Sequence, residues 1–259
     1  MTTPNKLNEF NHAEDPARRL LEQLGWTYLP AETLASERSN ERDVLLKDRL
    51  RVALLRLNNG LTGAQAEGVI RDLERVDGLG MERNRLVHEY LTYGMPLTVD
   101  GPSGRDPRTV RFFDFDDPMG RGNEFVVTTQ FRVLRGNEKG DLNDDQRVVI
   151  PDLVLFVNGI PLVVMEAKSP TLMDVWKTQA VRQLRRYQEA EPQWSGAGAP
   201  ALFHYNLLCV AHCGAGAAFS SLYAPESVYS EWKSVLPYTE QEVRDRFGEE
   251  PQGQAQLIV

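Results

Sequence analysis

The sequence predicts an α/β fold of the α+β-like kind: a central mixed β-sheet flanked by helices, with a helical portion leading into it. Three observations point there. Residues 12–95 carry apolar residues mainly at helical spacing. From about 105 to 215 the pattern changes to short runs rich in Val and Phe, separated by polar and Gly-containing stretches. A helical stretch over 171–191 then stands between the strand-like runs, the order expected when helices pack on a mixed sheet.

Taken in order, residues 1–11 read as disordered. Asp15-Pro16 followed by ARRLLEQLG reads as a helix start, with Pro16 in the first turn and Gly25 as the stop. A second helix fits 41–58, where Val44, Leu45, Leu50, Leu54 and Leu55 follow a rough 3.6 period. A third begins at Thr62 as cap, and a fourth, short helical or mixed segment covers 81–92. Strands are expected at 110–115, 124–134, 148–157, 160–168 and 201–212, with a polar loop at 135–146. Residues 219–235 are mixed, and TEQEVRDRFGEE suggests a last short helix. One domain over 12–235 is expected, with 236–259 a helix or a linker.

Composition narrows the function. Of 259 residues 41% are apolar, enough for a sizeable core. Lys and Arg number 29 against 37 Asp and Glu, a formal net charge of −8. That balance argues against a protein that coats nucleic acid, but leaves room for an acidic metal pocket inside a local basic rim. The two cysteines, Cys209 and Cys213, would lie about 13 Å apart on one strand face, too far for a disulfide. They read as buried thiols of a reducing compartment. The first residues lack the apolar core of a signal peptide, and no apolar run reaches membrane-spanning length. A soluble, cytoplasmic protein without a membrane partner is expected.

The segment IPDLVLFVNGIPLVVMEAKSP, Ile150 to Pro170, carries the chemistry. Two apolar runs flank Asn158-Gly159, a dipeptide suited to a tight hairpin turn. Glu166 and Lys168 are two apart and share a strand face. Asp152 joins that face only if it pairs with 166, which requires an odd-numbered loop or a bulge, because a plain two-residue turn pairs it with 165. Carboxylates opposed at about 5 Å repel unless a cation joins them. Mg²⁺ suits such a site, since it takes oxygen ligands and keeps several waters. The Ala167 carbonyl is a candidate third ligand, and Lys168 a group to orient water and stabilise phosphoryl charge. The plainer alternative is that Glu166 and Lys168 mark where the strand emerges into solvent and Asp152 an edge.

In the helix that follows, Gln179, Gln183 and Tyr187 share a face, with Arg182, Arg185 and Arg186 nearby. Gln183 and Tyr187 could hold the lysine or a DNA backbone, and the arginines could touch phosphates. An ordinary amphipathic helix is the competing reading.

With Pro151-Asp152, Glu166-Ala167-Lys168 and QLRRY at 183–187, the chain resembles nucleases of the PD-(D/E)xK type that add a QxxxY motif. That combination resembles the N-terminal nuclease domain of the restriction (motor) subunit of type I restriction-modification enzymes. FFDFDD, RGNEFVVTTQFRV, VNGIPLVVMEAKSP, LEQLGW and YSEWK fit the same family, so the resemblance covers most of 12–235. It implies a restriction-endonuclease-like core, Asp152 and Glu166 as Mg²⁺ ligands, Lys168 as the catalytic lysine, and Gln183 with Tyr187 as the QxxxY pair. The family also places a glutamate on its first helix near the metal. Glu14, eleven residues before Gly25, matches by distance, with Glu22 the structural alternative. The resemblance further implies double-stranded DNA as substrate, and methyltransferase and specificity subunits as partners. No G-x-x-x-x-G-K-S/T pattern occurs, so ATP would act only through motor domains absent from this sequence. The chain therefore looks like a fragment of a longer subunit. A repair or junction-processing nuclease with the same core, and a non-catalytic DNA or motor docking module, are the alternatives.

Overall fold

The computed structural model describes residues 10–101, 104–118, 121–135, 147–231 and 239–247. A π-helical turn, Phe10–Glu14, runs directly into α1 (Asp15–Gln23). Pro16 sits in the first turn of α1, as expected, but the helical path continues upstream of it, and Glu14 is helical, with φ −66° and ψ −55°. The wider π turn accommodates a ring that would crowd the preceding carbonyls of a regular α-helix. Phe10 and Asn11, expected to be disordered, belong to this turn; residues 1–9 lie outside the described residues. The short strand β1 (Thr27–Tyr28) and α2 (Ala31–Ser36) follow.

The helix expected over 41–58 is α3 (Lys47–Leu57). Val44, Leu45 and Leu46 are all buried. One helix stripe does not bury three residues in a row, so this segment is irregular and plugs the core directly. α4 (Gly63–Glu74) starts as expected at Thr62, where Thr62 and Gln65 form a reciprocal capping box. α5 (Gly80–Tyr93) is fully helical. A hairpin that the sequence did not suggest comes next, β2 (Met95–Gly101) with β3 (Gly104–Val110), forming its own two-stranded sheet. The strand expected at 110–115 ends at Val110. Phe112 and Phe113 are both buried, which a strand's alternation forbids, and the Asn58 amide replaces the ladder by pairing with the Arg111 backbone at 2.8 Å each way.

The strand-like runs of the second half are each interrupted. Residues 124–134 become β4 (Phe125–Thr129) and β5 (Val133–Leu134), broken at Gln130. Residues 148–157 become β6 (Val148–Val149) and β7 (Leu153–Val157), broken at Pro151-Asp152. β8 (Ile160–Ala167) is continuous. Most of the expected polar loop, 136–146, lies outside the described residues. After β8, a 3₁₀ stretch (Pro170–Val175) precedes α6 (Trp176–Tyr187), which is shorter than the expected 171–191. The run 201–212 is not one strand: α7 (Pro200–Phe203) opens it and β9 (Leu208–His212) closes it, since Pro200 starts a helical turn. β10 (Ala217–Ser220), β11 (Ser230–Glu231) and α8 (Glu240–Phe247) complete the described chain.

Seven strands form the central sheet in the order β1-β4-β7-β8-β9-β10-β11. β1–β4 and β8–β9 are parallel, the other neighbours antiparallel, so the sheet is mixed and open. Its larger core joins Val154, Phe156 and Val164 to α3, α4, α5 and α6. A smaller cluster on the opposite face packs Leu153, Leu155 and Met165 against Ala17 and Leu21 of α1. Side chains of β7 and β8 thus alternate between two buried faces, which explains their nearly unbroken apolar sequence.

The central hairpin keeps its two-residue turn, with Val157 opposite Ile160. Past the turn the register shifts between Leu155 and Phe156, so Leu155 pairs with Val163 and Leu153 with Met165. Leu162 is the extra residue of a β-bulge. The turn itself cannot lengthen, because it is built into the core. Asn158 (φ 52°) is fully buried. Its amide donates to the Phe112 carbonyl (2.9 Å) and to Asn123 (3.0 Å), and its oxygen accepts from the Glu124 N–H (2.8 Å). Gly159 (φ +81°) lies so close under α3 that a Cβ would approach the Leu46 carbonyl to 2.5 Å. Replacing Asn158 with Ala strands several buried groups at once. Chemical denaturation should show a loss of about 2–4 kcal/mol; a loss below about 1 kcal/mol would mean that the turn is not the anchor described.

Candidate active site

The bulge decides where three polar side chains point. Continuing the register from Leu153↔Met165 sets Asp152 opposite Glu166. Asp152, Glu166 and Lys168 then share the parity of Val154 and Val164 and face the side of the sheet covered by α6. Asp152 Oδ2 accepts from the Ala167 N–H at 2.8 Å, closing the strand ends around the site. Lys168 Nζ donates to Glu166 Oε1 at 2.9 Å and to the Ala167 carbonyl at 2.7 Å. Glu166 is 1% exposed and Lys168 9%. Neither marks an emergence into solvent.

Glu14 is brought in by the N-terminal helical turn. Gly214, after β9, lies so tightly against this turn that a Cβ would stand 2.2 Å from the His12 carbonyl. The clamp holds Glu14, itself 5% exposed, at the mouth of the sheet. Glu14 Oε2 and Asp152 Oδ1 both accept from Gln130 Nε2, at 3.0 and 3.1 Å. Glu22 points elsewhere: it is exposed and paired with Arg18 on the surface of α1. Gln130 was not singled out in the sequence. The available signal was a lone amide in the β-rich run FVVTTQF; its left-handed backbone, φ 54°, was not readable there.

From the other side, α6 presents Gln183 and Tyr187. Gln183 Nε2 donates to the Tyr187 hydroxyl at 2.6 Å, and that hydroxyl donates to the Ile150 carbonyl at 3.3 Å. The pair therefore ties α6 to the segment that carries Asp152. Burial, and then the nearby Glu166, raise the Tyr187 pKa, so the phenol stays a neutral donor. The three arginines separate. Arg182 is exposed in a shallow groove beside Trp194. Arg186 lies over the Tyr187 ring, 5.3 Å from its centre. Arg185 is an internal clamp, donating to the carbonyls of Tyr223 (2.9 Å) and Ala224 (2.8 Å) and to Glu191 (3.0 Å).

The electrostatics of the site are unbalanced. Asp152 and Glu166 are close enough to interact directly, so their two carboxylates repel when both are ionised. Burial, and next Asp152, push the Glu166 pKa well above the ordinary value of 4.5, with Lys168 only partly offsetting them. Glu166 Oε2 is buried and no donor reaches it. His212, opposite Ala167 on β9, is fully buried; burial and then Lys168 lower its pKa to about 3, so it is a neutral neighbour and not an acid. Among the described residues no group of three or more His, Cys, Asp and Glu side chains is gathered tightly enough to hold a metal ion. The two carboxylates and the Ala167 carbonyl are nevertheless an all-oxygen donor set with one buried oxygen still unpaired, which fits a hard divalent cation.

The family described as Type I restriction enzyme R protein N terminus (HSDR_N) matches residues 6–227. The chain belongs to this family. It corresponds to the nuclease-bearing N-terminal region of type I restriction R subunits. Over 169 residues it is 34% identical to the putative type I restriction enzyme MjaIXP endonuclease subunit of Methanocaldococcus jannaschii, covering 64% of this chain and 16% of that one. Over 235 residues it is 28% identical to the type I restriction enzyme HindI endonuclease subunit of Haemophilus influenzae, covering 88% and 20%. This R-subunit domain thus spans about a fifth or less of the length of these relatives. No helix among its described residues is long and apolar enough to cross a membrane.

The raised Glu166 pKa gives a sign to the pH dependence. A folded-state pKa above the unfolded one means that the native state holds the proton longer, so its stabilising effect is full below about pH 4.5 and is lost as pH rises through the raised value. In chelator, the wild type should lose melting temperature relative to Glu166→Gln as pH rises from about 5 to 8. Parallel profiles for the two proteins would refute the assignment.

Proposed function

We propose that this domain hydrolyses phosphodiesters of double-stranded DNA endonucleolytically, with Mg²⁺, as the cleavage domain of a type I restriction R subunit in the cytoplasm. The observation that carries the proposal is the bulged hairpin, which aims Asp152, Glu166 and Lys168 at one point beside an unpaired buried carboxylate oxygen. Membership of the family supports the same reading.

In this proposal Asp152, Glu166 and the Ala167 carbonyl would hold the cation, with Glu14 contributing from the helical turn. A bound Mg²⁺ would supply Lewis-acid stabilisation of the phosphoryl oxygens and a more acidic water. For the Ala167 carbonyl to serve as a ligand, Lys168 would have to give up its 2.7 Å bond to it. The Lys168 ammonium would orient a water in line with the scissile phosphorus and stabilise charge on the non-bridging oxygens. The water oxygen bonds to phosphorus as the bond to the 3′-oxygen breaks, and a proton ends on that oxygen. A 5′-phosphate and a 3′-hydroxyl result. Gln183 and Tyr187 hold the Asp152 segment through the Ile150 carbonyl. Arg182 and Arg186 are assigned to the DNA backbone, while Arg185, engaged by the 223–224 carbonyls, serves the fold.

ATP hydrolysis belongs in this reading to motor domains of the longer subunit, and target recognition to specificity and methyltransferase partners. One observation favours a non-catalytic docking module instead: Lys168 is already ion-paired with Glu166 at 2.9 Å, as in a structural ion pair. Substitution separates the two. In the assembled complex, Lys168→Ala should lower DNA cleavage by at least about a hundredfold while ATP hydrolysis stays near wild type. Cleavage at the wild-type rate would reject the catalytic assignment.

A further inference from the structure

Gln130 departs from its surroundings in three ways. It interrupts a run of strand-forming residues, it is a non-glycine residue at φ 54°, and its side chain is exposed at the mouth of a buried site. A left-handed backbone costs about 1 kcal/mol or more for a residue with a Cβ, and such strain tends to persist where it aims a group. The aim is visible here. The Gln130 N–H donates to the Asp152 carbonyl at 2.9 Å. Its side-chain nitrogen donates to both Asp152 Oδ1 (3.1 Å) and Glu14 Oε2 (3.0 Å). The oxygen end of the amide cannot take that place, because it would face two carboxylate oxygens.

We propose that Gln130 is a positioning residue that stands in for the cation, holding Glu14 and Asp152 together until a divalent metal displaces its amide. The inference rests on the metal-dependent reading above. An amide nitrogen has no lone pair to offer a metal, so Nε2 competes for these two oxygens and does not assist. Lys168 does the same for Glu166 and the Ala167 carbonyl. Two side-chain nitrogens thus lie on these oxygens, one buried and charged, the other neutral and on the solvent side, while the Ala167 N–H holds the second oxygen of Asp152. The neutral, exposed one is the easier to displace and marks the side of metal entry.

The test is Mn²⁺ binding by the 259-residue chain, with free ion counted by electron paramagnetic resonance, together with melting curves in chelator and in saturating Mn²⁺. Gln130→Ala should bind Mn²⁺ roughly three- to tenfold more tightly than wild type, since no amide has to leave. It should melt lower in chelator, and the difference should close at saturation. Gln130→Gly, which also relieves the left-handed strain, should show the same gain in affinity with a smaller loss in chelator. Unchanged or weaker binding in both variants, with a melting gap that persists at saturation, would mean that Gln130 is merely structural and would overturn this inference alone. A wild type that takes up no Mn²⁺ would overturn the metal reading and this inference with it.

Discussion

Everything at the candidate site depends on one register constraint. A hairpin closed by two residues pairs positions whose numbers sum to an odd value, which would turn Asp152 away from Glu166. The chain keeps that turn and inserts Leu162 into the return strand instead. Lengthening the turn would break a buried network: Asn158 joins the Phe112, Asn123 and Glu124 segments, and Gly159 accepts from the Leu46 N–H at 2.9 Å beside the start of α3. The bulge leaves this anchor intact and rotates the distal half of the hairpin, so rigidity at one end fixes aim at the other.

That aim creates an electrostatic deficit. Asp152 and Glu166 are brought together on a face where the Glu166 side chain has almost no water, and the result is a carboxyl group that resists ionisation. Lys168 and Gln130 cover part of the deficit with nitrogen donors, and one oxygen of Glu166 remains uncovered. A core built only for stability would not contain such an arrangement, because replacing buried charge with apolar groups is often neutral or stabilising. The arrangement makes sense as a receptor for positive charge that arrives from outside.

Much of this was legible in the sequence, for identifiable reasons. The mixed sheet with flanking helices followed from apolar periods, and Asp152, Glu166, Lys168, Gln183 and Tyr187 followed from spacing and from their resemblance to a known motif. The parity rule alone required either an odd loop or a bulge, though not which one, because that choice is made by Asn158 contacts with segments some 35 and 46 residues away. Long-range contacts explain the other misses. Three consecutive buried residues at 44–46 and two at 112–113 look periodic only when tertiary burial is ignored. Glu14 seemed to lie outside its helix because Pro16 reads as a first-turn signal, and the π turn that absorbs it has no sequence signature. Gln130 lay within a family-like run but was not singled out, because neither its left-handed backbone nor the contacts of its amide could be read there. Arg185 read as a phosphate contact from its charge, whereas its donors serve two carbonyls.

The proposed function requires that the bulged hairpin build a cation site from Asp152, Glu166 and the Ala167 carbonyl. A crystal of the domain soaked in Mn²⁺ and measured for anomalous scattering tests it most directly. An anomalous peak is expected within coordination distance of oxygens from Asp152, Glu166 and Ala167, with Lys168 withdrawn from the Ala167 carbonyl. A soaked crystal with no peak there, and with Lys168 still bridging Glu166 and that carbonyl, would contradict it.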